Sequence, residues 1–87
     1  MPRICEFLGI VIGMYWNEEP HHVPHFHAEY GGHFASIAFD GTVLSGSLPP
    51  RQLRLVRRWA SQHQSELEAN WKRSRRREAL LKIDPLA

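Results

Sequence analysis

Residues 24–39 read Pro-His-Phe-His-Ala-Glu-Tyr-Gly-Gly-His-Phe-Ala-Ser-Ile-Ala-Phe, and their alternation decides the fold. Successive side chains of a strand point to opposite faces. Phe26, Ala28 and Tyr30 therefore share one face, and His25, His27 and Glu29 share the other. Gly31-Gly32 fits a two-residue hairpin turn, because glycine takes the positive φ that both turn positions need. That turn predicts Tyr30 opposite His33, Ala28 opposite Ala35 and Phe26 opposite Ile37. The apolar face then continues through Phe39. The second face sets His25, His27 and Glu29 beside Phe34, Ser36 and Ala38.

Upstream, residues 4–8 and 10–16 are rich in β-branched and aromatic side chains, with Gly9 as a bend between them. Residues 17–24 form a polar loop. Downstream, Asp40-Gly41 signals a second hairpin and residues 42–47 a further strand. The sum is a four- to five-stranded antiparallel β-meander over about residues 3–47. From Pro49 the period changes. Leu53, Val56, Ala60, His63, Leu67 and Trp71 recur at steps of three or four, the mark of one buried helical stripe. One long helix or two short ones fit residues 49–77, with Ser61 or Ser65 as the cap of a second helix. The extended tail, residues 79–87, lays Leu81 and Ile83 along the sheet as a short edge strand. The expected fold is α+β, a single domain over residues 1–87 with its helices packed on one sheet face.

Composition narrows the class. The chain has 87 residues and one cysteine, Cys5, so no intrachain disulfide forms, which fits a reducing compartment. No apolar run approaches the ~20 residues that span a bilayer, and with no apolar run behind a basic segment near residue 1 no secretory signal is expected. The expectation is a small cytoplasmic protein without a membrane role. A core this small is thin, and a homodimer would relieve it. Charge is lopsided. Residues 1–50 carry one basic and five acidic side chains, and residues 51–87 carry ten basic and four acidic. Such polarity suits a nucleic acid or an acidic partner.

Five of the six histidines lie within residues 21–33. Imidazole titrates near neutral pH and is the commonest metal ligand. Alternate strand residues have Cα atoms ~6.6 Å apart, so His25 and His27 can converge on one Zn²⁺. His22, His21 or Glu29 would supply a third ligand, leaving a fourth position for an activated water. Without metal, His25 or His27 serves as general base, Glu29 orients an imidazole, and an arginine stabilises phosphoryl charge, as in a small hydrolase or ribonuclease. The bland alternative is a solvated sheet face, with imidazoles bonded to Glu29 and Ser36. His63, on the apolar stripe, is expected to be a core histidine with one hydrogen bond.

The helical part is basic. Arg51, Arg54, Arg58, Lys72, Arg73 and Arg76 lie mostly opposite the apolar stripe, and Lys72, Arg73, Arg75, Arg76 and Arg77 crowd together; Arg54, Arg58, Lys72, Arg73 and Arg76 are the candidate nucleic-acid contacts. Cations near a helix C-terminus complement its dipole, but this many exceed that need. Phosphate contacts from RNA or DNA are one explanation, and an acidic protein partner is another.

Gly9-Ile10-Val11-Ile12, Met14-Tyr15 and Pro24-His25-Phe26-His27-Ala28-Glu29-Tyr30-Gly31 resemble a family of small prokaryotic proteins, domain of unknown function 4160. The likeness continues through Gly46, Leu48-Pro49, Leu53, Val56, Trp59, His63, Leu67 and Trp71 to Ile83, Pro85 and Leu86. The Pro-His-Phe-His segment is its most specific part. The resemblance implies a small cytoplasmic protein that works with a partner encoded nearby, often domain of unknown function 2442, as a toxin–antitoxin-like pair.

Overall fold

A computed structural model of the chain describes residues 2–16 and 23–87. Five strands, β1 (Arg3–Phe7), β2 (Ile10–Gly13), β3 (His25–Tyr30), β4 (His33–Ala38) and β5 (Val43–Gly46), precede two helices, α1 (Pro50–Gln62) and α2 (Gln64–Arg75). The strands form one antiparallel sheet in chain order. The β3–β4 register is the one the Gly-Gly turn predicts: Phe26 pairs with Ile37, Ala28 with Ala35 and Tyr30 with His33. Gly31 and Gly32 have φ of 52° and 83°, which explains why glycine occupies both positions.

The helices cover one face of the sheet. Ile4, Ile10, Ile12, Phe26 and Ile37 are fully buried there, together with Val56, Trp59 and Leu67 from the helices. Trp59 meets Phe26 edge to face at 5.6 Å between ring centroids and Phe7 at 6.1 Å. Its indole Nε1–H donates to the Asp84 carbonyl at 2.8 Å, so the same side chain holds the tail.

The helical part is two helices that break at His63. The expected serine caps do not form: His63 is the N-cap of α2 and makes no side-chain capping bond, while the Ser61 hydroxyl donates back to the Arg58 carbonyl. The break has a specific cause. In an unbroken helix the Ala60 carbonyl would accept the Gln64 backbone N–H. Here it accepts the His63 N–H at 3.2 Å and the Gln64 side-chain amide at 2.9 Å, and that amide also donates to the Phe39 carbonyl at 2.6 Å. The Gln64 side chain therefore joins the end of α1 to the sheet. His63 bonds Glu66 at 2.7 Å and packs against Trp59 at 5.6 Å.

The tail also departs from expectation. Residues 79–87 contain no strand. Ile83 N–H donates to the Ile4 carbonyl at 2.7 Å, but Leu81 is taken by α2: its carbonyl accepts from Asn70 Nδ2 at 2.8 Å and its N–H donates to Asn70 Oδ1 at 2.9 Å. The buried Asn70 amide thus satisfies backbone groups that a strand ladder would have used. The tail lies between β1 and α2, and it occupies the β1 edge.

At the far edge the β4–β5 ladder shifts register between Ser36 and Ile37. Gly46, at φ 72°, lies against the β4 backbone, where any Cβ would overlap the Phe34 carbonyl oxygen. Gly46→Ala should therefore lower the unfolding free energy by at least about 2 kcal/mol in urea titration, whereas Gly→Ala at a compatible site would raise it. Gly32→Ala has the same φ sign and open space around it; it should cost about half as much.

Candidate functional site

The sheet face opposite Trp59, over which no helix lies among the described residues, carries the candidate site. Its residues come from alternate positions: His27 and Glu29 on β3, Phe34 and Ser36 on β4, and Ser45 on β5, joined by the register pairs His27–Ser36, Glu29–Phe34 and Ser36–Ser45. Tyr15 completes the row, because Gly13 pairs with His27 and Tyr15 is the next residue of the same parity. These side chains line an open groove of about 440 Å³, reaching Gly46 at the sheet edge.

The two strand imidazoles have different surroundings. His25 is buried. Trp71 of α2 packs on it at 5.3 Å, and its Nδ1 lies 2.7 Å from the Val23 carbonyl. A carbonyl only accepts, so Nδ1 carries the proton. His27 is half-buried and borders the groove. Its ring meets Tyr15 edge-on at 4.8 Å and His25 at 5.2 Å, and its Nδ1 lies 3.2 Å from Ser36 Oγ. The common outward projection expected of His25, His27 and Glu29 is thus found for His27 and Glu29 alone. His25 is sealed because an aromatic side chain from the end of α2 closes over the start of β3. Strand alternation assigns a face, but it says nothing of what else arrives there.

Among the described residues, no three His, Cys, Asp or Glu side chains converge as metal ligands would. His21 and His22, the loop ligands expected for Zn²⁺, lie outside the described residues. Cys5 is buried beneath the covered face, and desolvation pushes its thiol above the ordinary range. It donates to the Asp84 carbonyl rather than to any groove.

The break at His63 divides the helical cations. Arg54 and Arg58 are exposed on α1, and Lys72 and Arg76 are exposed at the end of α2. Arg73 is half-buried and donates to Asn70 Oδ1 at 3.1 Å, so part of its guanidinium supports the tail clamp. Arg57 donates to the Gly41 carbonyl at 2.9 Å, and the Arg75 guanidinium sits 5.9 Å from the centre of the Trp71 ring. The ion pairs among the described residues are Arg3–Glu6 and His63–Glu66, and neither uses Arg54, Arg58, Lys72 or Arg76.

Tyr15 and Ser45 escaped the sequence reading of this face. The signal for Tyr15 was its even spacing from Gly13 across the end of β2. Ser45 had none, because the register shift beside it changes the parity count.

Fold and surface define a small α+β domain with one sheet face under helices and, among the described residues, no helix over the other. The chain belongs to the family Domain of unknown function (DUF4160), which matches residues 9–72. No curated protein and no solved structure matches it. The matched span holds both β3 and the α1 cations, and Arg73 and Arg76 lie beyond it. Among the described residues, no helix is long and apolar enough to cross a membrane.

The different surroundings of the two imidazoles have a measurable consequence. His25→Ala should destabilise the fold by about 2–3 kcal/mol, as a buried large-to-small change does. His27→Ala should cost less than about 1 kcal/mol, in the range of partly exposed sites. Urea unfolding of both variants tests this difference.

Proposed function

We propose that this chain is a binding component of a toxin–antitoxin-like pair, contacting nucleic-acid phosphates through the cations of its two helices and working in the cytoplasm with a small protein encoded nearby. The observation that carries the reading is the set Arg54, Arg58, Lys72 and Arg76: four exposed cations without a carboxylate partner among the described residues. Solvated lysines and arginines are common, but an unneutralised group of this size raises local potential and attracts polyanions. Arg73 adds charge to the same helix end while holding Asn70. The pairing with a second protein rests on the family resemblance.

Phosphate contacts release condensed counterions, so affinity should fall steeply with salt. Four neutralised phosphates give a slope of log K against log[salt] of about −3.6 on duplex DNA. Fluorescence anisotropy with labelled duplex DNA and single-stranded RNA, from low to physiological salt, measures it. Replacing Arg54, Arg58, Lys72 and Arg76 together by Ala should flatten the slope and weaken binding to both polymers. Salt-independent binding, or binding unaffected by the quadruple change, overturns the reading.

A second reading, a small histidine-dependent hydrolase or ribonuclease, is favoured by one contact, His27 Nδ1 to Ser36 Oγ at 3.2 Å at the border of the groove that Glu29 also lines. His27 would act as general base, with His25 as its buried neighbour. Cleavage of an RNA oligonucleotide or a nitrophenyl ester should then drop by about 100-fold or more in His27→Ala. Turnover that survives in this variant, with its unfolding midpoint unchanged, excludes that role.

A further inference from the structure

The open sheet face carries a combination that phosphate binding does not use. Phe34 is 62 % exposed and Tyr15 is 44 % exposed, both on the groove that holds Glu29. Glu29 makes no ion pair among the described residues. The hydroxyls of Ser36 and Ser45 stand beside them. An anion would meet a carboxylate here, so this groove is a poorer match for the phosphate contacts assigned above to the helical cations.

We infer that the groove is a docking site for a cationic side chain, specifically an arginine presented by a protein partner. The chemistry is complementary on three counts. A guanidinium is attracted to the faces of exposed aromatic rings. Its planar fork pairs with a carboxylate through two parallel N–H donors, a geometry that lysine lacks. Its remaining N–H groups can donate to serine hydroxyls. The shape argues for a side chain carried by a larger body. Small-molecule sites enclose most of the ligand surface, whereas this groove opens to one side and reaches Ser45 and Gly46 at the β5 edge, with which no further strand pairs among the described residues. That edge has no charged residue in Val43–Gly46, so nothing along it repels an approaching chain. The site uses Tyr15, Glu29 and Phe34, none of which belongs to the helical cation set, so either assignment can fail without the other.

The test is an NMR titration of the ¹⁵N-labelled full chain with the acetylated, amidated pentapeptide Ser-Val-Arg-Val-Ser. The same peptide carrying citrulline, which keeps the shape and removes the charge, is the control. N-acetylarginine amide stands for a free small molecule. The arginine peptide should move the amide signals of Tyr15, Glu29, Phe34 and Ser36, and the citrulline peptide should bind about tenfold more weakly, the size of a charge-assisted contact. Glu29→Gln and Phe34→Ala should each weaken the arginine peptide by about fivefold or more while preserving the remaining spectrum. The inference is overturned by any of four results. These are silence of those signals at millimolar peptide, equal response to citrulline, N-acetylarginine amide binding as tightly as the peptide, and shifts of the same signals with protein concentration alone. The last would give the groove to a second copy of this chain.

Discussion

The contact between the Trp59 indole and the aromatic side chains beneath it holds the two layers together. Trp59 has no exposed surface, lies across Phe26 and Phe7, and donates its one polar hydrogen to Asp84. Burying such a ring removes ~150–250 Å² from water, worth about 5 kcal/mol at ~25 cal/mol/Å² as an upper bound. A chain of this size has a small core, so one side chain contributes a large share of it. The indole N–H would be costly if unpaired. Its partner is a backbone carbonyl of the tail, so the same residue that joins helix to sheet also fixes the last segment of the chain. Strand faces, helix placement and tail path all meet at this point.

The β3–β4 hairpin was legible because two independent signals agree. A period of two over residues 25–39 assigns faces, and Gly31-Gly32 fixes register. Every pairing drawn from that turn is present. The sequence left the helical part open between one long helix and a break near Ser61–Ser65, because the apolar stripe keeps its phase through Ala60, His63 and Leu67. The break comes from the Gln64 amide reaching both the Ala60 and Phe39 carbonyls, a tertiary contact without local signature. The tail followed the same pattern. Leu81 and Ile83 alternate as a strand would, but Asn70 captures the backbone groups of Leu81.

The site was legible to the same depth. His27 and Glu29 lie on the open face, as alternation requires, while His25 has the same parity and is buried. The difference is Trp71, which the sequence places on the helical stripe and the fold places over the start of β3. Trp71 also meets Phe39 at 6.3 Å, so it bridges β3 and the turn after β4. Alternation along a strand is a local rule. Accessibility depends on the entire chain. In this molecule the Pro-His-Phe-His segment therefore combines a structural imidazole with a solvent-bordering one two residues later.

The sheet has two unlike borders. The carboxyl-terminal segment already lies along β1, through the bond from Ile83 to Ile4 and the Lys82 ammonium on the Arg3 carbonyl. Among the described residues, no further strand pairs with β5. A ribbon of this kind has a single growth point. If two molecules ever join by strand addition, the union is two-fold and consumes both available borders. Filament growth by that route then needs the terminal segment to peel away first, so the anchoring of a few residues near the end of the chain sets a limit on polymerisation of the whole molecule.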